Sequence, residues 1–189
     1  EHRRGHRQQL EAHEPRLVLG ATGDIAVLDE KVGFLEGQRL ADGEHDNFFL
    51  PNLSEQSATL FEHCARALDN SLGLGQHGLP LMGTGDWNDG MNRVGELGRG
   101  ESVWLGWLLV KTLTLFATLA DKRGEGARGQ RWQAFALELK RSLEREAWDG
   151  AWYRRGYFDD GSPLGSSHSE ECKIDSIAQS WAVLSGAGD

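Results

Sequence analysis

Hydrophobic residues recur at intervals of three and four along four stretches of the chain, a spacing that is typical of amphipathic α-helices. We predict helices over residues 54–72, 101–122, 129–148 and 174–184. Ser54 suits the N-cap of the first helix, and Gly186 suits the end of the last one. The second helix is apolar around most of its circumference, which predicts that neighbouring elements cover it on more than one side.

The connections between these helices differ in character. Residues 30–54 are polar and irregular and are predicted to form a surface loop, whereas residues 151–166 suggest a short polar hairpin. Residues 75–102 are rich in glycine, with acidic and aromatic residues among them. Connections longer than about 15 residues are uncommon inside compact domains and are often functional. No alternating series of strands is evident, so we expect an all-α fold of helical hairpins packed side by side.

Composition and charge narrow the possible functions. The chain has 189 residues, with 20 lysines and arginines against 29 aspartates and glutamates, and a net charge of −9. Nucleic acids and anionic membranes bind clustered basic residues, so we expect neither as a partner. The longest apolar run, residues 103–110, is far shorter than the about 20 residues that span a bilayer, so we expect no direct membrane contact. Cys64 and Cys172 lack metal-ligand spacing and are predicted to be reduced, buried thiols, with no metal site.

The strongest candidate for chemistry is the segment GTGDWNDGMN. Asp86 and Asp89 supply carboxyl groups for proton transfer, and Trp87 supplies an aromatic face for the C–H surface of a sugar ring. A turn in which Asp and Asn side chains bond the local backbone explains the same residues equally well. A calcium loop of the EF-hand kind does not, because Gly90 stands where an oxygen ligand is required.

Other polar side chains also have two interpretations. His77 precedes the segment and either contacts a ligand or serves as a structural hydrogen-bond donor. Gln179 could face a pocket and is a candidate substrate-binding residue, whereas Trp181 stands at helical spacing and is predicted to be core. Asp159 looks like part of a turn, and Asp175 suits the N-terminal end of the last helix.

Three longer motifs carry a family resemblance: HGLPLMGTGDWNDGMNRVGELGRGESVWLGWLL, WDGAWYRRGYFDDGSPLGS and KIDSIAQSWAVLSGAGD. They closely resemble the inverting disaccharide phosphorylase family of cellobiose and chitobiose phosphorylases, and within it the phosphorylase-like C-terminal domain of cyclic β-1,2-glucan synthases. The resemblance covers residues 17–189 and leaves residues 1–16 unmatched. It implies a fragment of an (α/α) barrel of six helical hairpins, in agreement with the all-α expectation.

The resemblance also implies a chemistry: β-glucosidic bonds are cleaved or made with inorganic phosphate as co-substrate and inversion at the anomeric carbon, without another cofactor. Asp89 would be the general acid, Trp87 would line the sugar subsite, and Asp86 would support the site by hydrogen bonding within the loop. The implied partners are a β-glucan or disaccharide, phosphate, and the other domains of a larger protein. That protein would lie at the cytoplasmic face of the bacterial inner membrane, where this domain would control glucan chain length.

The resemblance is incomplete in one respect. The family's sugar-binding Arg and Asp residues, and its phosphate-binding residues, fall outside residues 17–189. We therefore expect the isolated chain to hold the general-acid loop without a complete active site, and to have little activity and marginal stability. Two other functions stay open: an inverting glycoside hydrolase on the same kind of barrel, and a non-catalytic carbohydrate-binding helical module.

Overall fold

In the part of the chain that the structure describes, four α-helices form the framework. The computed structural model describes residues 23–39, 48–86 and 89–188. Its helices are α1 (Leu60–Asn70), α2 (Val103–Lys122), α3 (Gly126–Ser142) and α4 (Ser176–Ser185). They overlap the four predicted helices, so the helical class of the core is confirmed.

Helix α2 is the central element. Fourteen of its residues are buried, among them Trp104 and Trp107. It is followed after a three-residue turn by α3, and both α3 and α4 pack against it. This agrees with the predicted coverage on more than one side. By length and composition alone α2 could cross a membrane, but most of its apolar window is buried inside the fold. It is therefore the core helix of this protein.

Aromatic side chains join α2 to its neighbours on either side. Phe61 of α1 stacks on Phe116 of α2, with ring centroids 6.3 Å apart. Trp132 of α3 meets the same Phe116 ring edge to face at 6.4 Å. Its indole Nε1 donates to Asp69 Oδ1 at 2.8 Å, so the polar atom of this buried ring has a partner. Burying each large apolar side chain contributes about 1.5–3 kcal/mol, which makes this cluster a major source of stability.

Among the described residues, two small antiparallel sheets correct the all-α prediction. Strand β1 (Lys31–Glu36) pairs with β2 (Asn52–Thr59). The short strands β3 (Glu101–Ser102), β4 (Gly156–Tyr157) and β5 (Pro163–Leu164) form a second sheet in that order. The pairing of β4 with β5 confirms the hairpin predicted over residues 151–166.

The predicted boundary of the first helix is wrong. The residues from Ser54 to Thr59 belong to β2, so the loop predicted over residues 30–54 contains β1 and the start of β2. Residues 54–57 are polar and present no apolar face to a helix, whereas a strand can pair their backbone with β1. Thr59 is the actual N-cap of α1, because its hydroxyl accepts from the Glu62 N–H at 3.2 Å.

Other local predictions have mixed outcomes. Asp175 caps α4 as expected, accepting from the Ile177 N–H at 3.0 Å. Gly186 ends the helix with φ +69°, in the left-handed conformation that glycine adopts without strain. Cys64 is a buried free thiol as predicted, but Cys172 is exposed, which corrects the expectation of two buried thiols. Cys172 lies in the irregular segment before α4, away from the helical core.

Candidate active site

Three carboxylates hold the long glycine-rich segment between α1 and α2, residues 75–102. The first of them is Asp86. Its buried side chain accepts hydrogen bonds from Ser102 Oγ at 2.9 Å and from Trp104 Nε1 at 2.7 Å. Arg155 Nη2 lies 2.8 Å from Oδ1 and 2.6 Å from Oδ2, forming a buried ion pair with the same carboxylate. We expected Asp86 to hydrogen-bond within its own loop. Two of these three donors instead lie beyond it, so Asp86 joins the loop to α2 and to the β4–β5 hairpin.

Arg155 is almost completely buried, which is rare for arginine and requires a paired charge. Besides its pair with Asp86, its Nε lies 3.2 Å from Oδ2 of Asp175, an ion pair that lacks hydrogen-bond geometry. Its backbone N–H donates to the Leu164 carbonyl at 2.8 Å, and its carbonyl accepts from the Val103 N–H at 3.2 Å. Hydrogen bonds therefore hold the backbone of Arg155, and two carboxylates hold its guanidinium.

Glu101 is the second carboxylate, and it closes the start of the long segment onto β3. Its buried Oε1 accepts the backbone N–H groups of His77 and Leu79, each at 3.0 Å, and its Oε2 contacts His77 Nδ1. The imidazole stacks on the Tyr157 ring with centroids 3.7 Å apart. Burial raises the pKa of Tyr157, whose hydroxyl donates to the Glu146 carbonyl at 2.6 Å. His77 thus has the structural role that was one of its two interpretations.

Asp159 is the third carboxylate, and it holds the end of the long segment. It accepts the backbone N–H groups of Leu97 and Arg99 at 2.8 Å and that of Gly100 at 2.9 Å. Asp160 beside it forms the expected turn, accepting from the N–H two residues further on at 2.9 Å. Asp159, which we interpreted as part of a turn, therefore also holds a loop that is distant from it in sequence.

Glycine is required in the long segment for two different reasons. Gly83 has φ +65°, in the left-handed region that other residues rarely adopt. Gly100 packs so tightly that an added Cβ would lie 2.3 Å from the backbone oxygen of Val94. The glycine content of the loop thus permits both an unusual turn and close packing of backbone on backbone.

The predicted catalytic residue lies at the centre of this loop. Asp89 begins a single 3₁₀ turn, Asp89–Met91, but its side chain is outside what the structure describes. Trp87, the predicted sugar-stacking residue, also lies outside the described residues. The roles of both stay predictions. The structure does describe the contacts of Asp86, which anchor the loop three residues before Asp89.

Gln179, the predicted substrate-binding residue of α4, is engaged with protein backbone. Its Oε1 accepts the Tyr153 N–H at 2.9 Å, and its Nε2 donates to the Tyr153 carbonyl at 2.6 Å and to the Asp175 carbonyl at 3.1 Å. Trp181 packs against Trp104 with ring centroids 5.8 Å apart, in agreement with its predicted core position. Sugar binding by Gln179 stays a prediction. Its contacts place it in the network that runs through Asp175 to Arg155.

A surface groove of about 290 Å³ lies beside the Glu101 anchor. Aromatic, charged and backbone groups line it: Leu74, Gly75, Gln76, His77, Leu81, Gly98, Arg99, Glu101, Phe158, Asp159 and Gly161. Within the described ranges no group of three His, Cys, Asp or Glu side chains is arranged to hold a metal ion.

Sequence reasoning missed Arg155 and the anchoring role of Asp159. One signal could have indicated the first: WYRRGYF places two arginines among aromatic residues in a hairpin, where a buried arginine needs a carboxylate partner. The partner itself could not be read from the sequence, since Asp86 and Arg155 are 69 positions apart.

Comparisons with known proteins bear on this site. The sequence matches the family model described as "Glycosyl hydrolase 94 superfamily, catalytic domain" over residues 19–189. It is 50% identical over 94% of its length to the cyclic beta-(1,2)-glucan synthase NdvB of Rhizobium meliloti. It is 36% identical over 89% of its length to 3-O-beta-D-glucopyranosyl-beta-D-glucuronide phosphorylase of Paenibacillus borealis. It is 32% identical over 88% of its length to N,N'-diacetylchitobiose phosphorylase of Vibrio furnissii.

These matches confirm the resemblance that the motifs indicated. The chain spans only 6% of the glucan synthase, 20% of the Paenibacillus enzyme and 18% of the Vibrio enzyme. It therefore corresponds to one part of each relative.

Proposed function

The chain belongs to the glycosyl hydrolase 94 superfamily, and from this premise we propose that it is part of the phosphorylase-like domain of a cyclic β-1,2-glucan synthase. In this proposal the domain cleaves β-glucosidic bonds with inorganic phosphate and inverts the anomeric carbon. The observation that carries the proposal is the 50% identity to a cyclic glucan synthase. Similarity to two enzymes named as phosphorylases supports the reaction type.

Asp89 is the proposed general acid. The contacts of Asp86 support this choice over the other carboxylate of the motif, because Asp86 is buried and ion-paired with Arg155. Its two oxygens already accept hydrogen bonds from Ser102, Trp104 and Arg155, so this carboxylate is committed to holding the loop. Trp87 is the proposed stacking surface for the sugar ring, and Gln179 a proposed contributor to substrate binding.

The proposed reaction is a single displacement. Protonated Asp89 donates its proton to the glycosidic oxygen, while a phosphate oxygen attacks the anomeric carbon from the opposite face. The C–O bond to the leaving sugar breaks, and the glucosyl unit departs as glucose 1-phosphate with inverted configuration. An inverting hydrolase would need a second carboxylate to activate water. Phosphate is its own nucleophile, so one acidic side chain suffices.

The proposal extends to the surrounding protein. Residues 17–189 would contribute hairpins to an (α/α) barrel of six helical hairpins, with the remaining hairpins and the phosphate-binding residues elsewhere in the parent chain. The hairpin of α2 and α3 is consistent with such a barrel. In the synthase the domain would control glucan chain length at the cytoplasmic face of the inner membrane.

The test is an Asp89→Asn variant of the complete protein that contains this segment. We expect glucose 1-phosphate release from β-1,2-glucan to fall by at least about 100-fold, as expected when general acid catalysis is lost. Folding should be unaffected, because the substitution changes little volume. Asp160→Asn is the matched control, since it makes the same chemical change in an exposed turn and should leave the rate unchanged.

Three results would count against the proposal. Retained glucose 1-phosphate release by Asp89→Asn would remove the general acid assignment. Unchanged product formation without phosphate would favour the hydrolase. Glucan binding without turnover, with an affinity that Asp89→Asn barely alters, would instead favour a non-catalytic carbohydrate-binding module.

A further inference from the structure

We propose that Arg155 is a positioning residue for the general-acid loop, acting through the buried carboxylate of Asp86. This inference rests on the proposed function, because it takes Asp89 as the proton donor. Arg155 lies in the β4–β5 hairpin, far from the loop in sequence, and its guanidinium meets Asp86 three residues before Asp89. It would influence catalysis without touching substrate.

The contacts of Asp86 make the loop's attachment point rigid. Its carboxylate receives donors from three separate places: Ser102 at the end of β3, Trp104 in the first turn of α2, and Arg155. All three side chains are buried, so water cannot readily replace them. A carboxylate that is held from three directions has few alternative positions.

The attachment continues beyond Arg155. Asp175, which lies 3.2 Å from the Arg155 Nε, also caps α4 through the Ile177 N–H. Gln179 donates to the Asp175 carbonyl at 3.1 Å. The loop that carries Asp89 is therefore connected through Arg155 to the N-terminal end of α4. A guanidinium can bridge two carboxylates in this way, whereas the single ammonium of lysine cannot reproduce its planar fork.

Positioning has a large effect on proton transfer. Displacing a reacting group by about 1 Å can reduce the rate by about 100-fold. Three residues span at most about 11 Å, so a shift at Asp86 has little chain over which to relax before Asp89. Loss of the guanidinium should therefore lower kcat much more than it changes KM, because proton transfer depends more steeply on position than sugar binding does.

The experiment compares Arg155→Lys with Arg154→Lys in the complete protein that contains this segment. Arg154 is the matched control: it neighbours Arg155 and is paired twice with Asp149, through Nε at 2.8 Å and Nη2 at 2.5 Å. We expect Arg155→Lys to lower kcat for glucose 1-phosphate release about 10- to 100-fold, with a smaller change in KM of no more than about threefold. Arg154→Lys should lose thermal stability but keep kcat within about twofold per folded molecule.

Two milder variants keep the test decisive if Arg155→Lys does not fold. Ser102→Ala and Trp104→Phe each remove one donor from Asp86 and leave the ion pair in place. Each should lower kcat by about threefold to tenfold, and their combination should lower it further. Wild-type kcat in both variants, or the same kcat for Arg155→Lys and Arg154→Lys, would overturn the inference.

Asp89→Asn, measured in parallel, separates this inference from the proposed function. If Asp89→Asn keeps its activity, the proposed function fails and the inference fails with it. If Asp89→Asn is inactive while Arg155→Lys matches Arg154→Lys, the positioning role alone is refuted.

Discussion

Replacing Glu101 with Ala should destabilise the chain by about 2–5 kcal/mol, whereas replacing it with Gln should cost about 1 kcal/mol or less. Glu101 is almost completely buried and accepts two backbone N–H groups on one oxygen, those of His77 and Leu79. The Ala variant leaves both donors without their acceptor. The contrast between Ala and Gln therefore tests whether this side chain fastens the long segment to β3.

The magnitude follows from the number of donors and their burial. Each buried N–H that loses its partner costs about 1–3 kcal/mol, which gives about 2–6 kcal/mol for two. His77 is only half-buried, so water can partly satisfy its N–H and the expected value falls below that maximum. A Gln oxygen can keep both backbone bonds. Its NH₂ group would then face His77 Nδ1, which can accept a hydrogen bond in the other neutral tautomer.

Urea unfolding of the 189-residue chain, followed by tryptophan fluorescence, measures these free energies. Glu138 is the matched control, because its side chain is 63% exposed and its pair with Arg141 lies on the helix surface. Glu138→Ala and Glu138→Gln should each change stability by about 0.5 kcal/mol or less. The anchoring role of Glu101 would be refuted if Glu101→Ala cost no more than Glu138→Ala, or if Glu101→Gln were as damaging as Glu101→Ala.

Two further predictions concern pH and close packing. Burial would raise the pKa of Asp149, but hydrogen bonds from Ser167 and Arg154 outweigh it and lower the pKa to about 2. Since this lies below the ordinary value of 3.8, the contribution of Asp149 to stability is complete above about pH 4 and is lost as the pH falls toward about 2. Asp149→Asn should therefore flatten the acid dependence of the urea midpoint, and an unchanged slope would contradict this. Gly100→Ala should destabilise by about 1–3 kcal/mol in thermal melts, because its Cβ meets backbone. Gly126→Ala should be neutral, because an added Cβ there would lie 3.6 Å from its nearest neighbouring atom. Equal melting temperatures for Gly100→Ala and Gly126→Ala would contradict the close packing at Gly100.

The helices could be predicted from the sequence because their signal is local. The apolar spacing of α2 and the capping residues around α4 are contained within a few turns of chain. The pairing of β1 with β2 is not local: Lys31 lies opposite Thr59, and the residues between them have no strong alternation. Local pattern alone therefore places the polar residues 54–59 in the adjoining helix, whereas their pairing with β1 makes them a strand.

The candidate site divides in the same way. The motif around Asp89 is contiguous, so its residue types and the family resemblance could be recognised directly. Its support comes from side chains that the fold brings from a distance, namely Arg155 to Asp86 and Asp159 to Gly100. No spacing rule relates those pairs, because the intervening helices set their separation. Residue chemistry indicated what the loop could do, and only the structure revealed what holds it.

Phosphate dependence, together with the anomeric configuration of the product, tests the central claim most directly. The complete protein that contains this segment is incubated with β-1,2-glucan with and without inorganic phosphate, and the sugar products are followed by NMR. We expect release of α-glucose 1-phosphate only when phosphate is present, because inversion of a β-glucosidic bond gives the α product. Free glucose released at the same rate without phosphate, or the β anomer of glucose 1-phosphate, would contradict it.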